Sequence, residues 1–109
     1  MSYSIIPSEK FKKEAKKLVK KFPSLKQELA ELNMVLTEQP RSGNPLGNDT
    51  YKIRIAIKSK GKGKSGGARI ITYVVTEYKE VYLLTIYDKS EMDSIDDKTL
   101  QVIIDGIVS

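Results

Sequence analysis

The chain has 109 residues, 39% of them hydrophobic, and 19 Lys and Arg against 14 Asp and Glu give it a net charge of +5. It has no Cys and no His, which removes disulfide frameworks and thiol chemistry and leaves a zinc site without its usual ligands. No apolar run approaches the ~20 residues that span a bilayer, and MSYSIIPSEK has no signal-peptide core. One soluble, cytoplasmic domain over 1–109 is expected, with no metal, no cofactor and no membrane partner.

Ser2–Ile6 is short, partly apolar and stopped by Pro7, as an edge strand would be. Ser8 is placed to cap a helix, with Glu9 in its first turn. Phe11, Ala15, Leu18, Val19 and Phe22 then recur at helical spacing among seven lysines between Lys10 and Lys21. Those lysines read first as a solvated helix face and second as a surface for RNA or for a protein partner. Phe22-Pro23 ends the helix. Ser24 with Gln27 reads as a capping box. Leu25, Leu29, Leu32 and Leu36 make a second apolar stripe, closed by Pro40. Gln39–Thr50, rich in Pro, Gly and Asn, reads as a loop.

Tyr51–Ser59 alternates as a strand: Ile53, Ile55 and Ile57 face one way, and Lys52, Arg54 and Lys58 the other. Lys60–Gly67 is a Gly/Lys/Ser loop that lacks the spacing of a Walker phosphate loop. Ala68–Thr76 and Val81–Tyr87 are apolar at nearly every position, which suits central strands covered on both faces. A polar stretch follows, and Ser94 with Asp97 is placed to cap a last helix carrying Leu100, Ile103, Ile104 and Ile107. The expected fold is α+β: a helical hairpin packed on a small antiparallel sheet, then a C-terminal helix.

Charge is distributed unevenly along this plan. Residues 1–22 carry +5, 23–49 carry −2, 50–76 carry +7 with no carboxylate, and 77–109 carry −5. A one-signed cluster such as Lys52–Arg69 repels itself unless an anion is bound, and phosphate is the usual anion. The competing reading is a solvated sheet edge, where lysines discourage aggregation.

KIRIAIKSKGKGKSGGARIITYVV, followed by VYLLTIYDKSEMDSI, resembles the RelE/ParE toxin superfamily. It is most similar to the HigB-like branch, which carries a Lys/Gly insertion before a G-x-R-[IV]-I-x-Y strand. The resemblance spans roughly residues 5–97. It implies a type II toxin: a ribosome-dependent endoribonuclease that cuts translated messenger RNA and is neutralised by a cognate antitoxin of helix-turn-helix type. Ribosome and messenger RNA are the implied partners. By the same resemblance Arg69 matches the sheet arginine that contacts the scissile phosphate. Lys89 falls where a basic residue often follows the last long strand, and Lys62 and Lys64 fall in the insertion. Many members carry a C-terminal tyrosine. Here the segment after Lys89 has no aromatic before Ile95, and Tyr87 is the nearest candidate.

Metal-free RNA cleavage needs the 2′-OH deprotonated, the phosphorane stabilised and the 5′-oxygen protonated. Without histidine, a lysine among like charges is the remaining proton carrier, and Arg69 suits a bidentate phosphate clamp. The expected catalytic set is Arg69, Lys89, Lys64 and Tyr87. Lys52, Arg54, Lys58, Lys60 and Lys62 are expected to bind RNA or the ribosome. The alternatives are a non-enzymatic ParE-like inhibitor of gyrase and a small basic RNA- or ribosome-binding protein.

Overall fold

The structure is a computed structural model that describes residues 2–61, 63, 66–92 and 94–108. Its elements run β1 (Ser4–Pro7), α1 (Glu9–Lys21), α2 (Leu25–Glu38), β2 (Asn44–Gly47), β3 (Thr50–Ile55), a single 3-10 turn (Lys58–Lys60), β4 (Ala68–Val75), β5 (Glu80–Asp88) and α3 (Asp97–Val108). The five strands form one sheet in the order β1-β5-β4-β3-β2. The pairs from β2 to β5 are antiparallel, while β1 lies parallel to β5. The sheet is therefore mixed, where the sequence suggested an antiparallel one. The two strands of the parallel pair lie far apart in the chain, so no local turn announces it.

Ser8 caps α1 as its position predicts, its Oγ accepting the Phe11 N–H at 3.0 Å. Glu9 and the Lys20–Lys21 pair sit at the helix ends that the dipole favours. The inward stripe of α1 joins Leu25, Leu32 and Leu36 of α2 over Ile53, Ile57, Ile70, Val74, Val81, Leu83 and Ile86 of the sheet. The opposite face carries a smaller cluster, in which Leu100 and Ile104 of α3 cover Ile71, Leu84 and Tyr87. As the run of apolar residues in both strands predicts, β4 and β5 are covered on both faces.

Four local readings change. The presumed loop Gln39–Thr50 contains β2, a four-residue edge strand exposed throughout. It carries its proline at the sheet margin, where a missing donor is tolerated. The strand expected to reach Ser59 ends at Ile55, and the chain folds into the 3-10 turn at Lys58. Ser24 does not cap α2. Its backbone is already helical, and its hydroxyl is used elsewhere. At α3 the cap is Asp96, whose carboxylate accepts the Thr99 N–H at 2.8 Å, two positions after the expected Ser94.

Candidate RNA-cleavage site

The sheet register brings the basic residues together. Arg54 on β3 pairs with Arg69 on β4, and Arg69 pairs with Tyr87 on β5. Strand alternation puts all three on the face that α3 partly covers. Asp97, Leu100 and Ile104 of α3 line a small pocket with Leu46, Gly47 and Thr50, so the helix sits toward the Thr50 end of β3. Arg54 lies four residues further on, about 13 Å along the strand. Lys52 lies between, half-buried and opposite Ile71.

Exposure divides the predicted residues. Arg54 and Lys58 are exposed. Arg69 is only 3% exposed, and its Nη1 donates to the Ala68 carbonyl at 3.2 Å. Tyr87 is buried in the α3-side cluster at 6%. Lys89 is half-buried, and its backbone N–H donates to the Gly67 carbonyl at 3.0 Å. That bond ties the exit of β5 to the end of the basic loop. Lys62 and Lys64 lie outside the described residues.

Lys60, expected to meet RNA as a free cation, is held within the fold instead. Its Nζ forms an ion pair with Asp88 Oδ1, with side chains 11% and 1% exposed. It also donates to Ser90 Oγ at 3.1 Å and lies 5.5 Å from the centroid of the Phe22 ring. Ser90 turns both its N–H and its hydroxyl onto the same carboxylate oxygen, at 2.9 and 2.8 Å. Burial by itself pushes the Asp88 carboxyl up. The hydrogen bonds from Lys60 and Ser90 outweigh it and hold the group below the usual carboxylate range.

The rest of the loop root is fastened by the corner between α1 and α2. Ser24 Oγ donates to Ser59 Oγ and accepts the Ser59 N–H, both at 2.8 Å. Glu28, buried at 8%, accepts the Lys58 N–H on Oε2 at 2.7 Å. Gly61 closes the turn with φ 76°, a conformation glycine adopts without strain. A Cβ on Gly67 would run into the Ile55 carbonyl oxygen. Sequence reasoning missed Ser24, Glu28, Ser59, Asp88 and Ser90. One signal was available: Glu28 interrupts the apolar stripe Leu25–Leu29–Leu32, and a carboxylate there needs a buried donor.

Beside this cluster a groove of about 630 Å³ runs between α1 and the exit of β5. Lys10, Glu14 and Lys17 form one wall, Thr85–Asp88 the floor, and Glu91, Met92 and Ile95 the other wall. β1 has ended by this point. Glu14 takes over the strand edge by accepting from Thr85 Oγ1 at 2.6 Å and from the Ile86 N–H at 3.3 Å. Among the described residues no group of three or more acidic, His or Cys side chains is placed to hold a metal ion. No helix among them is long and apolar enough to cross a membrane.

The chain thus carries a helical hairpin and a C-terminal helix on a mixed five-stranded sheet, with opposed arginines at one end. Residues 5–105 match the family described as the RelE toxin of the RelE/RelB toxin–antitoxin system, and the chain belongs to that family. Solved structures share the fold. A free Escherichia coli RelE mutated at two arginines superposes with a TM-score of 0.65 at 20% identity, covering 99% of this chain and 100% of that one. The Mycobacterium tuberculosis RelBE2 toxin–antitoxin complex gives 0.62 at 19% identity, covering 81% and 99%. The E. coli RelE mutant bound to a RelB antitoxin peptide gives 0.54 at 24%, covering 94% of each chain.

Proposed function

We propose that this chain is the toxin of a type II toxin–antitoxin pair, acting as a single domain in the cytoplasm. It cuts messenger RNA on the ribosome without a metal ion, at the basic end of the sheet. The observation that carries the reading is the placement of Arg54 directly opposite Arg69. Two guanidinium groups on facing strands and on one face of the sheet can close on a phosphate as a clamp. The Lys/Gly loop, rooted beside this pair, supports the HigB-like placement within the family.

In the proposed reaction the 2′-oxygen attacks the adjacent phosphorus as its proton leaves. The bond to the 5′-oxygen breaks, and that oxygen takes up a proton. The products are a 2′,3′-cyclic phosphate and a 5′-hydroxyl. Arg69 and Arg54 stabilise the charge that gathers on the phosphoryl oxygens. Lys89, with Lys64, is assigned to proton transfer, Tyr87 to orienting the nucleotide, and Lys52, Lys58 and Lys62 to the RNA backbone. Lys60 holds the loop in place. The ribosome supplies much of the substrate positioning, which accounts for an acid–base set without histidine. Arg69 is covered in the free protein, so substrate entry must uncover it. A cognate antitoxin would act by keeping the ribosome or the strand from this end.

The test is primer extension on a translated message with purified protein and ribosomes. Wild type is expected to give cuts inside the reading frame that vanish when translation is blocked. Arg69→Gln is expected to reduce cleavage roughly 10²- to 10³-fold, the loss typical of one transition-state donor. An intact transcript with a DNA-damage response would replace this reading with gyrase inhibition. Full cleavage by a folded Arg69→Gln protein would leave the residue a purely structural role.

A further inference from the structure

The exit of β5 is built around one side chain. Asp88 is the last residue of β5, and its Oδ1 accepts from Lys60 Nζ, from the Ser90 N–H and from the Ser90 hydroxyl. Its main-chain carbonyl accepts from the Glu91 N–H at 3.0 Å and the Met92 N–H at 3.1 Å. Lys89 lies between these anchors. Its own N–H donates to Gly67 at the far end of the basic loop, while Lys60 at the near end is held by Asp88. The backbone at Lys89 is therefore fixed from both sides, and from both ends of the loop.

Stability alone does not account for this arrangement. Asp88 pairs with Ala68, and both are buried, so an apolar residue would fill the place without taking a charge out of water. Apolar residues of similar volume often match or exceed a buried ion pair in stability. The cost of burial is only partly offset here, because Asp88 Oδ2 is buried with no hydrogen-bond partner among the described residues. What the bonded pair adds is direction. Hydrogen bonds constrain distance and angle, whereas apolar contact is non-directional.

The direction matters because of what stands nearby. Tyr87 is paired with Arg69, and Arg69 with Arg54, so Lys89 leaves the sheet two residues past the arginine pair. We infer that Asp88 is a positioning residue for cleavage: with Lys60 and Ser90 it sets the backbone from which Lys89 reaches a phosphate held at Arg54 and Arg69. The inference rests on the proposed reaction and on the part assigned there to Lys89. It adds a residue that acts from within the fold, through Lys89, without touching the RNA.

The experiment removes the pair without changing net charge. Asp88→Leu combined with Lys60→Met takes away one anion and one cation, and should unfold in urea near the wild-type midpoint. Cleavage of a translated message is followed over a range of ribosome concentrations, which separates KM from kcat. The double variant is expected to lose about 10²-fold in kcat, the effect of a misplacement of about 1 Å, while KM holds. Lys60→Arg keeps a cation for Asp88 and should retain most of the wild-type kcat. The same double change is then made in a Lys89→Gln background. There it should alter kcat by no more than about twofold, because a residue that acts through Lys89 has nothing further to lose. Additive losses would overturn the inference, as would wild-type kcat in the folded double variant. Full activity of Lys89→Gln would also overturn it and leave the arginine clamp standing. Where the double variant does not fold, Asp88→Asn carries the same comparison: it keeps the size of the side chain and removes its charge, and unchanged kcat would overturn the inference. Wild-type protein that leaves the message intact on ribosomes would remove the proposed function itself.

Discussion

The two faces of the sheet are covered differently. The hairpin buries one face along its length, from Val81 near the β4–β5 turn to Ile57 at the loop root. On the other face α3 supplies Leu100 and Ile104, with Ile95, Ile103 and Ile107 at the margin, and lies toward Thr50. The first face has the composition of a folding core. The second leaves one end to Arg54 and Arg69, beside Tyr87 at the edge of the apolar cluster. The lesson is a division of labour between faces: one holds the fold, and the other gives up part of its burial to keep a cationic end.

Substitutions that treat the faces alike should separate them. Leu36→Ala, in the hairpin core at 0% exposure, is expected to lose about 4 kcal/mol of stability, near the upper end for a fully buried leucine. Ile104→Ala, at 9% exposure under α3, should lose nearer 2 kcal/mol. Urea denaturation of both proteins checks the gap, and equal losses would mean that α3 is as much part of the core as the hairpin.

Asp88→Ala comes next. It leaves the Lys60 ammonium half-enclosed without its carboxylate, and breaking one side of a buried pair costs about 3 kcal/mol. The same measurement applies, and a loss under about 1 kcal/mol would class the pair with exposed ones. Smaller still is Glu28→Gln, expected to cost about 1–2 kcal/mol by weakening the bond to the Lys58 N–H. Its signature is local: amide exchange should speed up at Lys58 and Ser59 and hold steady in β4.

The smallest effect is in pH. Asp88 has a folded pKa below its unfolded value of about 3.9. Its contribution is therefore fully present above that value and lost as pH falls through the folded pKa. Asp88→Asn should flatten the acid limb of a stability profile between about pH 5 and 2. An unchanged limb would show that Lys60 does not depend on the charge of its partner.

Local chemistry was legible in the sequence, and distant chemistry was not. The alternation of Ile53 and Ile55 with Lys52 and Arg54 announced both β3 and its cationic face. Ser8 announced α1 because its acceptor and donor lie three residues apart. Ser24 carries the same kind of signal, yet its partner is Ser59, 35 residues away. The charge run marked Lys60 as a free cation because Asp88, 28 residues on, cannot be paired with it before the sheet is known. β2 was hidden by having no buried face at all. The arginine pair was half visible. Both residues stood in strand-forming runs, but their register depends on where the loop between them closes.

The parallel pairing of β1 with β5 has a consequence for how the molecule comes into being. Ser4 is matched to Glu80 and Pro7 to Leu83, so the first strand made waits for the last. Contacts this far apart in sequence close late, because loop entropy must be overcome before they give any return. The residue that fastens the loop root, Asp88, ends that same last strand. A nascent chain shorter than this can form α1, α2 and its β3–β4 hairpin, but it has neither the sheet edge nor the Lys60 anchor. Toxicity in this reading is a property of the finished strand order, withheld from the growing chain while the ribosome that makes it is still at work.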